Sequence, residues 1–282
     1  MTTDLLDPPR SSLAPTGVRP VPAWTGTALR TLLRRSRKIS GLVAVLVLWE
    51  VGARAGWLGS TTPPLSQVLD RGAAMIGSGE LGSNLGVSLV RVLKGLAIGL
   101  PLGLGLGLLA GLLTVGEDVI DAPVQALRML PHLALVPLFI IWFGIGETSK
   151  VGLIAVGVVF PLYINVFHGI RGVDERLVES ARSCGLGRLG LIRRVILPGA
   201  LPQILVGLRQ SLGLAWLTLV VVEQSATSSG IGFVINQATQ FMRMDTVFVV
   251  LVVYALLGVA TDLFVRVVER RALAWRKGLV AR

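Results

Sequence analysis

The chain has 282 residues, 52% hydrophobic and 15% charged, with a mean hydropathy of +0.73 and a net charge of +11. A water-soluble domain of this length exposes far more charge, and the short alternating segments of an outer-membrane barrel are absent, so the composition points to an all-α integral membrane protein with spans of roughly 20 apolar residues. The basic residues gather at both ends and in one central segment without aromatic interleaving, which excludes a nucleic-acid partner and fits the cytoplasmic bias of Lys and Arg in membrane proteins.

In chain order, the first 26 or so residues are rich in Pro and Ser, read as disordered, and lack the apolar core of a cleavable signal peptide. "TALRTLLRRSRK" then reads either as a basic amphipathic helix on the inner leaflet or as a plain topogenic flank. Residues 1–38 together form a cytoplasmic tail. Span one covers 39–58, and 59–88 is an extended external loop, marked by Pro63 and Pro64 and poor in basic residues. Five further spans follow at 89–113, 119–143, 151–170, 204–223 and 247–268, and 270–282 is a basic tail. An even number of spans returns both termini to the cytoplasm and places residues 171–202 there as well.

Span two carries Gly95, Gly99, Gly103, Gly107 and Gly111, one every four residues. That spacing makes a groove along one helix face where another backbone packs closely. A dinucleotide fingerprint is excluded, because no strand precedes the glycines. Span three holds Pro131 and Pro137 and is therefore kinked or broken. Arg128 and His132, spaced i,i+4 beside Pro131, offer either a cationic face for an anion or a snorkelling arginine at the interface. Asn165, beside Tyr163, and Glu223, beside Gln224, are further candidates for lining a translocation path; His168 belongs at the inner interface. Glu50 with Arg54, and Asp262 with Arg266, are spaced to pair. Cys184 is the one cysteine, so no internal disulfide forms, and the scattered histidines and acids offer neither a metal site nor a nucleophile with its base.

The polar interruption between spans four and five begins "DERLVESARSCG". Asp174, Leu177, Val178, Ala181 and Cys184 share one helical face, Asp174 is placed to cap the helix, and Gly185 to end it in a left-handed conformation. Ser180 and Ala181 are small enough to let a partner surface approach.

"ESARSCG" followed by "VILP" resembles the EAA loop of bacterial ABC-importer permeases: Glu179, Ala181, Gly185, Leu197 and Pro198 match, and Ser180 replaces an alanine. "PLFIIWFGIGETSK", "PLYINVFHGIRGVDERLVESARS", "LPGALPQILVGLRQSLGLAWLTLVVVEQ" and "SSGIGF" resemble the aliphatic sulfonate, taurine and nitrate branch, most closely the sulfonate permeases, over roughly residues 89–269. The resemblance implies six transmembrane helices in the type I ABC-importer (MetI-like) permease fold, in a bacterial inner membrane. It implies a transport protein, not an enzyme, that works as a homodimer with a cytoplasmic ATPase dimer and an extracytoplasmic binding protein. The segment 171–202 is then the coupling loop that enters the ATPase. No P-loop motif occurs in the sequence, so no cofactor is expected in this chain and ATP belongs to a separate subunit. The implied cargo is a small organic sulfonate, with taurine, nitrate or another small anion or nitrogen compound as alternatives. A secondary transporter that needs no ATPase is the competing class, disfavoured by the absence of an internal repeat.

Overall fold

A computed structural model describes residues 40–275, except 42, 114, 115 and 226. The expected cytoplasmic tail, with its basic amphipathic segment, lies outside the described residues, as does most of the C-terminal tail. The chain divides into two units, residues 1–51 and 52–282.

The helices in order are α1 (residues 43–54), α2 (Leu65–Gly77), α3 (Glu80–Leu112), α4 (Asp118–Arg128), α5 (His132–Phe143), α6 (Glu147–Arg171), α7 (Glu175–Ser183), α8 (Arg188–Ser225), α9 (Ile231–Gln240) and α10 (Met244–Ala272). Among the described residues, α3, α6, α8 and α10 are each long and apolar enough to cross a membrane, and the pair α4–α5 makes a fifth crossing if counted as one span. That pair is bent by 83° at Met129–Pro131, as the prolines require: Pro131 cannot continue the helix or donate to the carbonyl four residues back.

Two expectations from the sequence are corrected. Span two begins nine residues earlier than hydropathy suggested, because the polar stretch Glu80–Ser88 continues the same helix. The loop 59–88 is not extended throughout: Leu65–Gly77 is helical, with Pro64 as its N-cap and Val68 and Met75 buried. Its apolar residues repeat at helical spacing, and the rigid φ of Pro64 suits a helix start.

The centre of the fold is α6, two-thirds buried over its apolar window, whereas α10 is about one-tenth buried and turns most of its surface outward. All five glycines of the stripe are buried against α6. A Cβ built on Gly99 would lie 2.7 Å from the carbonyl oxygen of Ala155, and one on Gly103 2.8 Å from that of Val159. Hydrophobicity gives helices little reason to associate in lipid, so this close backbone approach, with the dispersion contacts it allows, holds α3 to α6. α6 also packs against α8: Ile154 and Val158 cluster with Ala215 and Leu219, and Leu162 and Val166 with Ala200. The Asp262–Arg266 pair forms as its spacing implies, Nε to Oδ2 at 2.6 Å, and Arg209 of α8 joins it by reaching both Asp262 and Glu269.

Candidate functional site

The polar segment between α6 and α8 folds into a separate short helix, α7. Asp174 caps its start, Oδ1 accepting from the Arg176 N–H at 2.9 Å. Its end is a paired cap: the N–H of Leu186 donates to the Ala181 carbonyl at 3.2 Å and that of Gly185 to the Arg182 carbonyl at 2.9 Å. Gly185 adopts φ +82°, the left-handed conformation that this cap demands. No residue of α7 is buried: Glu179 and Ser180 are exposed, Ala181 half-buried, and Leu177 is 60% exposed. Helices of nine residues are marginal in water, so one held mainly by its caps, with only Val178 and Ala181 half-buried and Leu177 turned outward, is suited to docking. Leu197 and Pro198 lie in the first part of α8, half-buried. Pro198 has no N–H for the preceding turn, and α8 widens there into a π turn over Ile192–Ile196.

At the opposite end of the same helices lies a buried charge node that the sequence reading did not single out. Arg91 of α3, 3% exposed, forks onto Glu147 of α6: Nε donates to Oε2 at 2.8 Å and Nη2 to Oε1 at 2.6 Å. Its Nη1 donates to Glu223 Oε1 of α8 and to the Ser229 carbonyl, both at 2.7 Å. The Glu223 carboxylate, wholly buried, also accepts from Ser88 Oγ at 2.8 Å and from the Gly232 N–H at 2.8 Å. Ser88 in turn accepts from the Ile231 N–H, and Asn84 from the Gly230 N–H. A buried ion pair is sustained only when its remaining donors and acceptors are satisfied, and here backbone groups at the start of α9 complete the set. Gly230 is required by the same packing: at φ +111°, any Cβ would collide with the Glu223 carboxylate.

The node and α7 lie at opposite ends of α6 and α8. The 21 residues from Arg91 to Leu112 rise about 32 Å along α3, against a hydrocarbon thickness of about 30 Å. The 24 residues from Glu147 to Arg171 rise about 36 Å along α6. Each stretch is therefore long enough to cross the hydrocarbon.

The residues assigned to a translocation path do not form one site. The Glu223 carboxylate is wholly buried and held in the node. Arg128 and His132 do not share a helical face, because the bend between α4 and α5 separates them. Arg128 is exposed, while His132 Nε2 lies 3.1 Å from Thr218 Oγ1 of α8. Asn165 is buried between α6 and α8, its Nδ2 donating to Gln210 Oε1 at 2.8 Å and to the Pro161 carbonyl at 2.7 Å, and its Oδ1 accepting from Gln203 Nε2 at 2.7 Å. Gln203 and Gln210, both exposed, were missed. The available signal was an ionisable or amide side chain inside an apolar run, a flag that Arg91 also carried.

The family model "Binding-protein-dependent transport system inner membrane component" matches residues 99–273. The chain is 47% identical to the "Putative aliphatic sulfonates transport permease protein SsuC" of Escherichia coli (strain K12), over 83% of this chain and 89% of that protein. It is 45% identical to the protein of the same name in Bacillus subtilis (strain 168), over 82% and 84%. To the taurine transport system permease protein TauC of Escherichia coli (strain K12) it is 34% identical, over 84% and 88%. With a match over well over half its length and such relatives along most of it, the chain belongs to the family of binding-protein-dependent transport system inner membrane components.

Proposed function

We propose that this chain forms the translocation path of an ATP-driven importer for a small organic sulfonate, and that α7 transmits the ATPase stroke to the membrane helices. As a family member it is a transport protein and not an enzyme. The observation that carries the coupling reading is α7 itself, a capped and unburied helix joined directly to α6 and α8, the two helices at the centre of the packing. A displacement of α7 then moves both together. Glu179, Ser180 and Ala181 are the docking face, Gly185 fixes the helix end, and Leu197 and Pro198 set the angle at which α8 leaves the loop.

The sulfonate reading rests on relatives at 47% and 45% identity whose names carry that cargo, against 34% for the taurine permease, itself a carrier of a small sulfonate. The working assembly is two copies of this chain, two ATPase subunits that bind ATP, and an external binding protein that delivers the cargo. Both termini and residues 171–202 face the cytoplasm. The amides of Gln203, Asn165 and Gln210 and the hydroxyl of Thr218 beside His132 supply neutral polar groups at membrane depth, while Arg128 is the cation candidate at the inner side.

Three measurements test this. Proteoliposomes holding the chain, its ATPase and its binding protein are expected to take up labelled alkanesulfonate only with ATP, and faster than taurine or nitrate; uptake without ATPase places the protein among secondary transporters. Gly185→Val adds a side chain into open space, so its cost is conformational, about 1–2 kcal/mol for a left-handed L-residue. That variant is expected to insert normally and to lose ATP-driven uptake by tenfold or more, and uptake at the wild-type rate would remove α7 as the coupling element. Cys184, the sole cysteine and exposed, is expected to react with a membrane-impermeant maleimide in inside-out vesicles and not in right-side-out ones. The reverse pattern would invert the topology.

A further inference from the structure

We propose that the cavity enclosed by the end of α3, the end of α7 and the start of α8 binds the phosphate headgroup of an anionic phospholipid. It measures about 480 Å³, within the usual range of ligand pockets. Leu112, Leu191, Ile192 and Ile196 make an apolar floor, and Arg182 and Arg188 stand at its rim. No carboxylate lines it. Both arginines are exposed, and among the described residues neither guanidinium has a hydrogen bond or an ion pair.

Depth selects the ligand. Leu112 lies about 32 Å along α3 from the charge node, so the cavity opens where hydrocarbon gives way to headgroups. A ligand with an acyl chain can cover the floor while its phosphate accepts from the two guanidinium forks, a geometry arginine is suited to. Basic pockets between helices on the cytoplasmic side recognise anionic headgroups in this way. Arg182 ends the coupling helix and Arg188 begins α8, so a bound lipid would brace the loop against the membrane. The placement in the inner leaflet rests on the orientation proposed above; the Cys184 labelling experiment tests that orientation independently of lipid.

The test uses the full chain co-expressed with its ATPase, solubilised in mild detergent and washed with mixed phosphatidylglycerol and phosphatidylcholine. Retained lipid is counted by native mass spectrometry. Phosphatidylglycerol is expected to remain in preference to phosphatidylcholine, and retention per folded chain is expected to fall about tenfold in R182Q/R188Q whether or not the ATPase is recovered with it. Retention unchanged in the double variant overturns the proposal. So does loss of the ATPase with lipid unchanged, which would make the cavity a protein contact. Displacement of the lipid by glycerol phosphate as readily as by short-chain phosphatidylglycerol assigns the site to a free phosphate and likewise overturns it. A single variant, I192D, places a carboxylate on the floor and is expected to lower phosphatidylglycerol retention with both arginines present; retention at the wild-type level counts against the site.

Discussion

Arg91→Gln is expected to lower stability by about 3–5 kcal/mol, the cost of removing one partner from a buried ion pair. Gln at this position keeps a hydrogen-bonding group but no charge, so the fully buried Glu223 carboxylate loses its cation while the backbone donors of α9 still hold it in place. Glu147 suffers less, because its side chain is 53% exposed and Lys150 lies 3.4 Å away. The ends of α3, α6 and α8 that meet at the node are thus expected to lose their common tie. Thermal melting in detergent, followed by size-exclusion chromatography, reads the effect. Arg91→Met with Glu223→Met separates charge from shape, since an apolar pair of similar volume often costs little where a lone buried charge costs much. The double variant is expected to recover much of the loss. An Arg91→Gln protein that melts with the wild type would show that the node contributes nothing to stability.

Gly99→Val is expected to part α3 from α6. The new Cβ would sit 2.7 Å from the Ala155 carbonyl oxygen and 2.8 Å from Val158 Cβ, and backbone cannot turn aside as a flexible side chain can. Overpacking in a well-filled interior costs roughly 1–3 kcal/mol, and a clash with backbone belongs at the upper end. Gly105 lies on the same helix, but a Cβ there meets nothing within 4 Å. Gly105→Ala is therefore expected to be neutral or to stabilise by about 0.5–1 kcal/mol through helix propensity. A melting-temperature comparison of the two variants in one detergent checks both, and equal effects would deny that the stripe is a packing surface.

The features legible in the sequence are local or periodic. Glycine at every fourth position marks one helix face whatever the partner, and the structure supplies α6 as that partner. Pro131 breaks a helix by its own covalent geometry, and the bend appears where the residue stands. Asp174 and Gly185 set the two ends of α7 by caps spanning a few residues, and Glu179, Ser180 and Ala181 of the EAA-like pattern lie on that helix. The EAA-like pattern could be matched for the same reason: its residues lie within 20 positions of one another.

Tertiary structure alone decided the charge node. Arg91, Glu147 and Glu223 are separated by 56 and 76 positions, and each taken alone looks like a polar residue near a span end. Only the packing of α3, α6 and α8 makes them one buried unit, and only the turn at Gly230 supplies the backbone donors that complete it. The same applies to Asn165, whose amide is spoken for by Gln203 and Gln210 from α8, and to the cavity beneath Arg182, whose walls come from three helices. Hydropathy and short-range geometry act along the chain, so the sequence by itself determined the long apolar runs, the break at Pro131 and the caps of α7. Which buried charges meet, and what space remains between helices, depends on contacts between distant positions, and that only the folded chain decided.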